Sequence, residues 1–204
     1  MDKNQEHITI FTKKYETSVW GKSNDPSEYT GSSGGGSTIS VNKVYTDFVR
    51  KFIDENNCKK IIDLGSGDWQ SSFLIYENKD VQYYGYDAYD KVVQRNQEKY
   101  PQYTFIHLDI LNNIDTLEEE ADLCILKDVV QHWTCDEITT FFDVLLKTKK
   151  YKYILLTNCC GQNFDNQDTP FRSRPLSIKF EPLKRYPFKY LFNYHTKEVS
   201  LLTL

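Results

Sequence analysis

Five short apolar runs, each closing on a polar residue, constrain this chain more than any other feature. They are Lys60–Leu64 with Asp63 near its end, Val81–Tyr86 before Asp87, Tyr103–Leu108 before Asp109, Ala121–Leu126 before Lys127-Asp128, and Tyr151–Thr157 before Asn158. Between them lie segments of helical character. These are Gln70–Glu77, Lys91–Tyr100 stopped by Pro101, and a stretch whose Ile138, Phe141, Phe142, Leu145 and Leu146 share one face behind the capping-box spacing of Thr134 and Glu137. Strands and helices alternating at such short intervals predict a parallel sheet wound by right-handed crossovers, a doubly wound α/β fold. Such sheets bind ligands at the carboxyl ends of their strands, which is where the polar residues collect.

The flanks complete the plan. Val41, Val44, Tyr45, Phe48, Phe52 and Ile53 recur at helical spacing, with Ser40 as the expected N-cap and Asn56-Asn57 as the stop. Gly21–Ser37, rich in Gly, Ser, Asn and Pro, is expected to be irregular. A Pro-rich basic stretch, Pro170–Pro187, leads to strand-like runs at Lys189–Tyr194 and Glu198–Leu204, which predict an antiparallel hairpin at one sheet edge. At 204 residues the chain fits one compact domain. We expect an N-terminal segment with a Gly-rich loop (1–38), a ligand-binding core (39–158) and a substrate-side segment with the closing strands (159–204).

Composition excludes several classes. No apolar stretch is long enough for a membrane span, and the first residues lack the apolar run of a signal peptide. Five cysteines without zinc spacing read as reduced thiols in a cytoplasmic protein. A net charge of −4 argues against tight nonspecific binding to nucleic acid.

The first strand breaks into Asp63-Leu64-Gly65-Ser66-Gly67-Asp68-Trp69, where the glycines permit a sharp turn and close ligand approach. Asp87 is placed to accept hydrogen bonds from two ribose hydroxyls. A dinucleotide fingerprint needs a third glycine at position 70 to seat a pyrophosphate; Gln70 stands there, and Trp69 fills the turn. S-adenosylmethionine (SAM) has no phosphate to seat and carries a sulfonium cation that an acidic site tolerates. The turn suits SAM better than NAD.

These residues also carry a resemblance. Ile61–Trp69 resembles the first motif of class I SAM-dependent methyltransferases, and Asp87, with Ala88 beside it, matches the ribose-binding acid. Asp109-Ile110 resembles the pair that contacts adenine, and Asp128–Trp133 the segment lining the methyl-transfer site. The resemblance implies a Rossmann-like class I fold, with a mostly parallel seven-stranded sheet and an antiparallel C-terminal edge hairpin. It also implies SAM as cofactor and S-adenosyl-L-homocysteine as product. Asp63, Gly65, Ser66, Gly67 and Trp69 would then meet the cofactor, as would Lys127. More narrowly, Trp20-Gly21, Gly34-Gly35-Gly36-Ser37, the Gly-Asp-Trp-Gln turn and Arg174-Pro175-Leu176 are similar to small methyltransferases near or fused to glycosyltransferases in bacterial and giant-virus glycan synthesis, including those of large algal viruses. That implies a sugar hydroxyl of a glycan or glycan precursor as acceptor. It implies a chain that is either free-standing or an excised module beside a glycosyltransferase, and the host cytoplasm for a viral member.

Each candidate has a plainer reading. Asp63 either meets the cofactor or anchors the first turn, and Asp109 either contacts the ligand or caps the following helix. The glycine run is either a linker or a lid that brings Tyr15, Trp20 and Gly35 over the cofactor. His132 is the expected general base, its imidazole titrating near neutral pH. Asp128 is the rival base or the group orienting His132, facing the same side if the stretch is helical. Lys127 either meets the cofactor or forms a surface salt bridge. Arg172 and Arg174 are either a solvated loop or guanidinium forks on the substrate, with Trp133 and Asn158 as further substrate contacts. Methyl transfer from SAM needs alignment and removal of one proton, so no obligatory metal is expected. Three other classes remain beside sugar O-methylation: methylation of nucleic acid or a small molecule, a noncatalytic SAM-binding module, and an NAD oxidoreductase. Against nucleic acid, there is no Asn-Pro-Pro-Tyr or Pro-Cys motif, and Asn158 stands where a ribose 2′-O enzyme would place a lysine.

Overall fold

The computed structural model describes residues 3–22, 31–117, 119–165 and 174–204. Seven strands run in the order β3-β2-β1-β4-β5-β7-β6. They are β1 Lys60–Leu64, β2 Gln82–Asp87, β3 Thr104–His107, β4 Ala121–Lys127, β5 Tyr151–Cys159, β6 Lys189–Tyr194 and β7 Lys197–Thr203. The helices are α1 Lys3–Glu16, α2 Ile39–Glu55, α3 Phe73–Tyr76, α4 Asp90–Lys99 and α5 Cys135–Thr148. β2 with β3, β1 with β4 and β4 with β5 pair parallel, whereas β7 lies antiparallel to both β5 and β6. This is the Rossmann-like α/β sheet with an antiparallel C-terminal edge. No helix of the described residues is long and apolar enough to cross a membrane.

The chain divides into two compact units, residues 1–59 with 65–112 and residues 60–64 with 113–204. In the first, α2 buries Tyr45, Val49, Phe52 and Ile53 at helical spacing, and α4 buries Val92, Val93 and Asn96. Trp69 centres an aromatic cluster. Its indole lies within 5.7 Å of the ring centres of Tyr76, Tyr83, Tyr100, Tyr103 and Phe105, and its Nε1–H donates to the Tyr83 hydroxyl at 2.8 Å. Satisfying the indole N–H lets so large a side chain be buried without a polar penalty.

In the second unit, β1, β4 and β5 bury Ile61, Ile62, Leu123, Cys124, Ile154 and Leu155 almost completely. Such near-continuous apolar runs are what a parallel sheet covered on both faces requires. α5 lays Ile138, Phe141, Phe142 and Leu145 into this core. Its start is fixed by a full capping box: the Glu137 N–H donates to Thr134 Oγ1 at 3.2 Å, and the Thr134 N–H to Glu137 Oε2 at 2.7 Å.

Local chemistry moved several boundaries. α2 starts at Ile39 behind Thr38 rather than behind Ser40, because Gly35–Ser37 already closes one 3-10 turn that leads into the helix. The glycine-rich stretch is therefore not wholly irregular, and Lys22 also bridges Gly31; residues 23–30 lie outside the described residues. The helix expected over Gln70–Glu77 shrinks to Phe73–Tyr76, since Trp69 sits at φ 55° and Gln70 turns its amide back onto Asp68. α1 was not expected at all; from His7 onward it buries only His7 and Tyr15, which leaves no periodic signal.

The capping box predicts a local stability effect. Thr134→Ala should destabilise the protein by about 1 kcal/mol, read as a lower denaturation midpoint in urea with an unchanged slope.

Candidate active site

The glycine turn after β1 is held from all sides within the first unit. The Gly65 and Ser66 N–H groups both donate to the Tyr86 carbonyl, at 2.8 and 2.9 Å. Gly67, at φ 60°, donates its N–H to Asp87 Oδ2 at 2.9 Å, and the Tyr89 N–H donates to Asp87 Oδ1 at 3.0 Å. Asn96 and Arg95 bind the carbonyls of Gly67 and Asp68. With the backbone so occupied, two buried side-chain atoms of this turn, Ser66 Oγ and Asp68 Oδ1, have no hydrogen-bond partner among the described residues.

Electrostatics give the cradle its character. Burial pushes the Asp87 carboxyl above the usual range, the two backbone N–H bonds pull it back, and the nearby Asp68 charge raises it again. Two buried carboxylates close enough to repel favour a cationic guest. Asp109 spends its carboxylate on the following turn, accepting from the Leu111 N–H at 3.1 Å and the Asn112 amide at 2.7 Å, with Ile110 buried beside it. Ala88 is half-buried, its carbonyl 3.1 Å from His107 Nε2.

The N-terminal segment is fastened onto this turn. Ser33 and Asp68 exchange hydrogen bonds, Ser33 N–H to Asp68 Oδ2 and Asp68 N–H to Ser33 Oγ, both at 2.8 Å. The Tyr15 hydroxyl joins Ser33 Oγ at 2.7 Å, while its ring stacks on Tyr89 at 4.5 Å and takes the edge of Trp20 at 5.3 Å. A Cβ on Gly31 would stand 2.0 Å from the Tyr15 carbonyl, so only glycine lets the strap pass. Gly35 is exposed, with open space where a Cβ would be.

Within the second unit the polar groups cluster at the ends of β4, β5 and β7. Asp63 is buried near the end of β1, and its charge adds to the burial that pushes the Cys124 thiol well up. Asp128 occupies the left-handed region at φ 61°, its N–H on the Thr157 carbonyl at 2.8 Å. Its carboxylate is gripped by the Lys127 ammonium at 2.9 Å and the Lys197 ammonium at 2.5 Å. Burial alone would raise the Asp128 pKa, but the two lysines outweigh it and hold the carboxyl below the ordinary value. His132 closes a 3-10 turn over Val130–His132 and is buried. Thr157 Oγ1 and Asn158 Oδ1 are buried without a hydrogen-bond partner among the described residues.

Several expected roles change. Trp69 and Trp133 are core residues: Trp69 fills the aromatic cluster, and Trp133 packs on Phe141 at 4.8 Å. Their side chains are committed to packing and do not face a ligand. Arg174 is no substrate fork, since its guanidinium donates to the Trp133 carbonyl at 2.5 Å and its N–H to the Gln131 carbonyl. It straps the 174–178 segment onto the turn that carries His132. Asp128 and His132 do not share a helix, because the left-handed Asp128 precedes a 3-10 turn; the carboxylate serves instead to tie β4 to β7. Lys127 forms a mostly buried ion pair rather than a surface salt bridge. Arg172 lies outside the described residues. Sequence alone did not single out Ser33, Asp68 or Lys197. Asp68 stood within the glycine motif, but nothing local marked the other two.

Residues 40–167 match the family described as a methyltransferase domain, and the chain belongs to that family. Its activity is SAM-dependent methyl transfer, with SAM as the cofactor. No curated protein matches the sequence. Among solved structures, it is similar to magnesium protoporphyrin IX methyltransferase from Synechocystis with bound SAM (14% identity, TM-score 0.64, 98% of each chain). It is also similar to the methyltransferase domain of bacterial CtHen1 (16% identity, TM-score 0.61, 80% of this chain and 100% of that one). Human N-acetylserotonin methyltransferase with SAM gives 17% identity and a TM-score of 0.60, over 81% of this chain and 53% of the human one. At such identities the likeness is one of fold.

The acidic cradle fits SAM: buried acceptors that have no partner among the described residues suit its ammonium and sulfonium charges. Asp87→Asn should weaken SAM binding about 10- to 100-fold by calorimetry, the range of a hydrogen bond to a charged group. Asp128 gives a pH signature. Its folded pKa lies below the unfolded one, so its contribution is full above about pH 4 and is lost as pH falls through the depressed value. The stability gap between wild type and Asp128→Asn should therefore narrow in urea titrations run at decreasing acidic pH.

Proposed function

We propose that the protein is an O-methyltransferase acting on a sugar hydroxyl of a glycan or glycan precursor, working in the cytoplasm as a single catalytic domain, alone or as a module beside a glycosyltransferase. The observation that carries this reading is the two buried atoms at the end of β5, Thr157 Oγ1 and Asn158 Oδ1, that have no hydrogen-bond partner among the described residues. Leaving such groups unbonded costs stability, and a hydroxyl-rich acceptor supplies the missing partners. The likeness of the Trp20-Gly21, glycine-run and Arg174-Pro175-Leu176 segments to glycan-modifying methyltransferases supports the same acceptor.

In this reading Asp87 receives the ribose hydroxyls, using the lone pairs that its two backbone bonds leave over. Ser66 and Asp68 take the amino-acid end, and Ile110 and Asp109 border the adenine, with the backbone of Gly65 and Gly67 completing the cradle. Tyr15, Trp20 and Gly35 form the strap above it. SAM supplies a methyl group already activated by its sulfonium. His132, buried on the short turn after β4, takes the acceptor's proton. Asp128 is a poor base, being held ionised between two ammonium groups, and it fixes the floor of the acceptor side. Asn158 accepts a hydrogen bond from a second sugar hydroxyl.

The deciding experiment incubates the protein with methyl-labelled SAM and a panel of glycosides, nucleic acids and small phenols. Label should enter the glycosides; label in nucleic acid or phenol alone would refute the sugar assignment. His132→Ala should lower turnover by about 10²- to 10⁴-fold while SAM affinity stays near wild type.

A further inference from the structure

Lys197 opens the last long strand, more than sixty residues after Asp128 in sequence (|i−j| = 69), yet its ammonium is buried against that carboxylate. The same nitrogen lies 3.3 Å from Cys159 Sγ. An ammonium has three N–H groups, so two directed at Asp128 and Cys159 leave one more donor. The strand register says what stands beside it. Cys159 is opposite Lys197, Thr157 is opposite Lys127, and residues two apart on a strand project from the same face. Lys127, Thr157, Cys159 and Lys197 therefore share one face at the ends of β4, β5 and β7, with Asp128 just beyond. Thr157 is fully buried there, and its hydroxyl has no hydrogen-bond partner among the described residues. Glu198 alternates to the other face and spends its carboxylate on Ser177 and Ile178.

We propose that Lys197 and Thr157 form an oxyanion subsite that binds the acceptor's reacting oxygen and stabilises the negative charge it gains as its proton departs. The inference rests on the O-methylation reading and deepens it. The acceptor O–H bond breaks with its proton passing to the base, an O–CH3 bond forms, and the pair of the breaking S–CH3 bond leaves with sulfur. Asp128 plays the positioning part, holding Lys197 at the face where Thr157 waits. Burial pulls the Lys197 pKa down, but Asp128 more than compensates, so the group remains a charged donor rather than a base. Donors set in a buried site need no reorganisation as charge develops, which is where such groups act most strongly.

The test follows methyl transfer to p-nitrophenyl glycosides across pH, with S-adenosyl-L-homocysteine binding measured in parallel. Lys197→Met should lower kcat by about 100-fold or more, the usual loss of one oxyanion donor. Its acid limb should move to higher pH, KM for the glycoside should change less than kcat, and cofactor-product affinity should hold. Lys197→Arg should recover part of the rate, and Thr157→Val, a near-isosteric change, should lower kcat by about 10-fold. If Lys197→Met does not fold, the Arg and Val variants carry the test. Variants that transfer methyl at wild-type rate with an unmoved pH profile would overturn the subsite while leaving O-methylation standing. A wild-type protein that methylates no glycoside would overturn the O-methylation reading and the subsite with it.

Discussion

The bond from the Gly67 N–H to the Asp87 carboxylate fixes the shape of the first unit. A buried carboxylate is costly unless hydrogen bonds stabilise its charge, and Asp87 obtains two from backbone N–H groups on either side, Gly67 and Tyr89. That demand sets the course of the glycine turn. Gly67 must take a left-handed φ of 60° to aim its N–H, and a Cβ there would stand 2.6 Å from Ser33 Oγ. Once the turn is set, Asp68 faces Ser33, and the reciprocal Ser33–Asp68 pair pins the N-terminal strap with Tyr15 stacked on Tyr89. Strap, turn and strand end thus follow from the needs of one buried charge.

The second unit solves a different electrostatic problem. Asp128 is also a mostly buried acid, but its partners are full cations rather than backbone dipoles, and the outcome is opposite: Asp87 is pushed above the usual carboxyl range and Asp128 held below it. The contrast sorts their chemistry. A carboxylate braced by neutral donors keeps lone pairs and acceptor strength for a ligand, whereas one clamped by two ammonium groups has little left to give. The same residue type, closing β2 in one unit and following β4 in the other, thus takes opposite shifts because its partners differ in charge.

What could be read from sequence followed the range of the interactions involved. β1 was legible to the residue and the Thr134–Glu137 capping box was legible in full, because strand patterning and capping are written within a few neighbouring positions. The sharp turn at Gly65–Gly67 was legible for the same reason, with Gly67 in the left-handed region that its glycine permits. The tryptophans were not: Trp69 in a glycine motif and Trp133 beside a histidine invite a ligand role, and only five converging rings, or Phe141, reveal a core one. Arg174 looked like a substrate fork because nothing nearby in sequence predicts a carbonyl partner 41 residues away. Lys197 was invisible for the same cause, its partner Asp128 lying 69 residues earlier in the turn after β4. Long-range pairing of charges is where local pattern ceases to inform.

This division also bears on where specificity resides. The family match ends at residue 167, and the fold is shared with methyltransferases named for a porphyrin and for N-acetylserotonin. A scaffold common to such different acceptors cannot itself choose among them. In this chain the groups that shape the ends of β4 and β5 come largely from beyond that match: Arg174 on the His132 turn, Leu176 N–H on the Cys159 carbonyl, Ser177 on Glu198, and Lys197 on Asp128. Each is a side chain or amide committed to a fixed partner, so Arg174–Ser177 and Lys197 act as a frame around these strand ends. On the O-methylation reading proposed above, a frame of that kind would hold in place the Thr157 and Asn158 side-chain oxygens, which have no hydrogen-bond partner among the described residues, and preorganised polar groups of this sort discriminate strongly against acceptors that lack the matching hydroxyl.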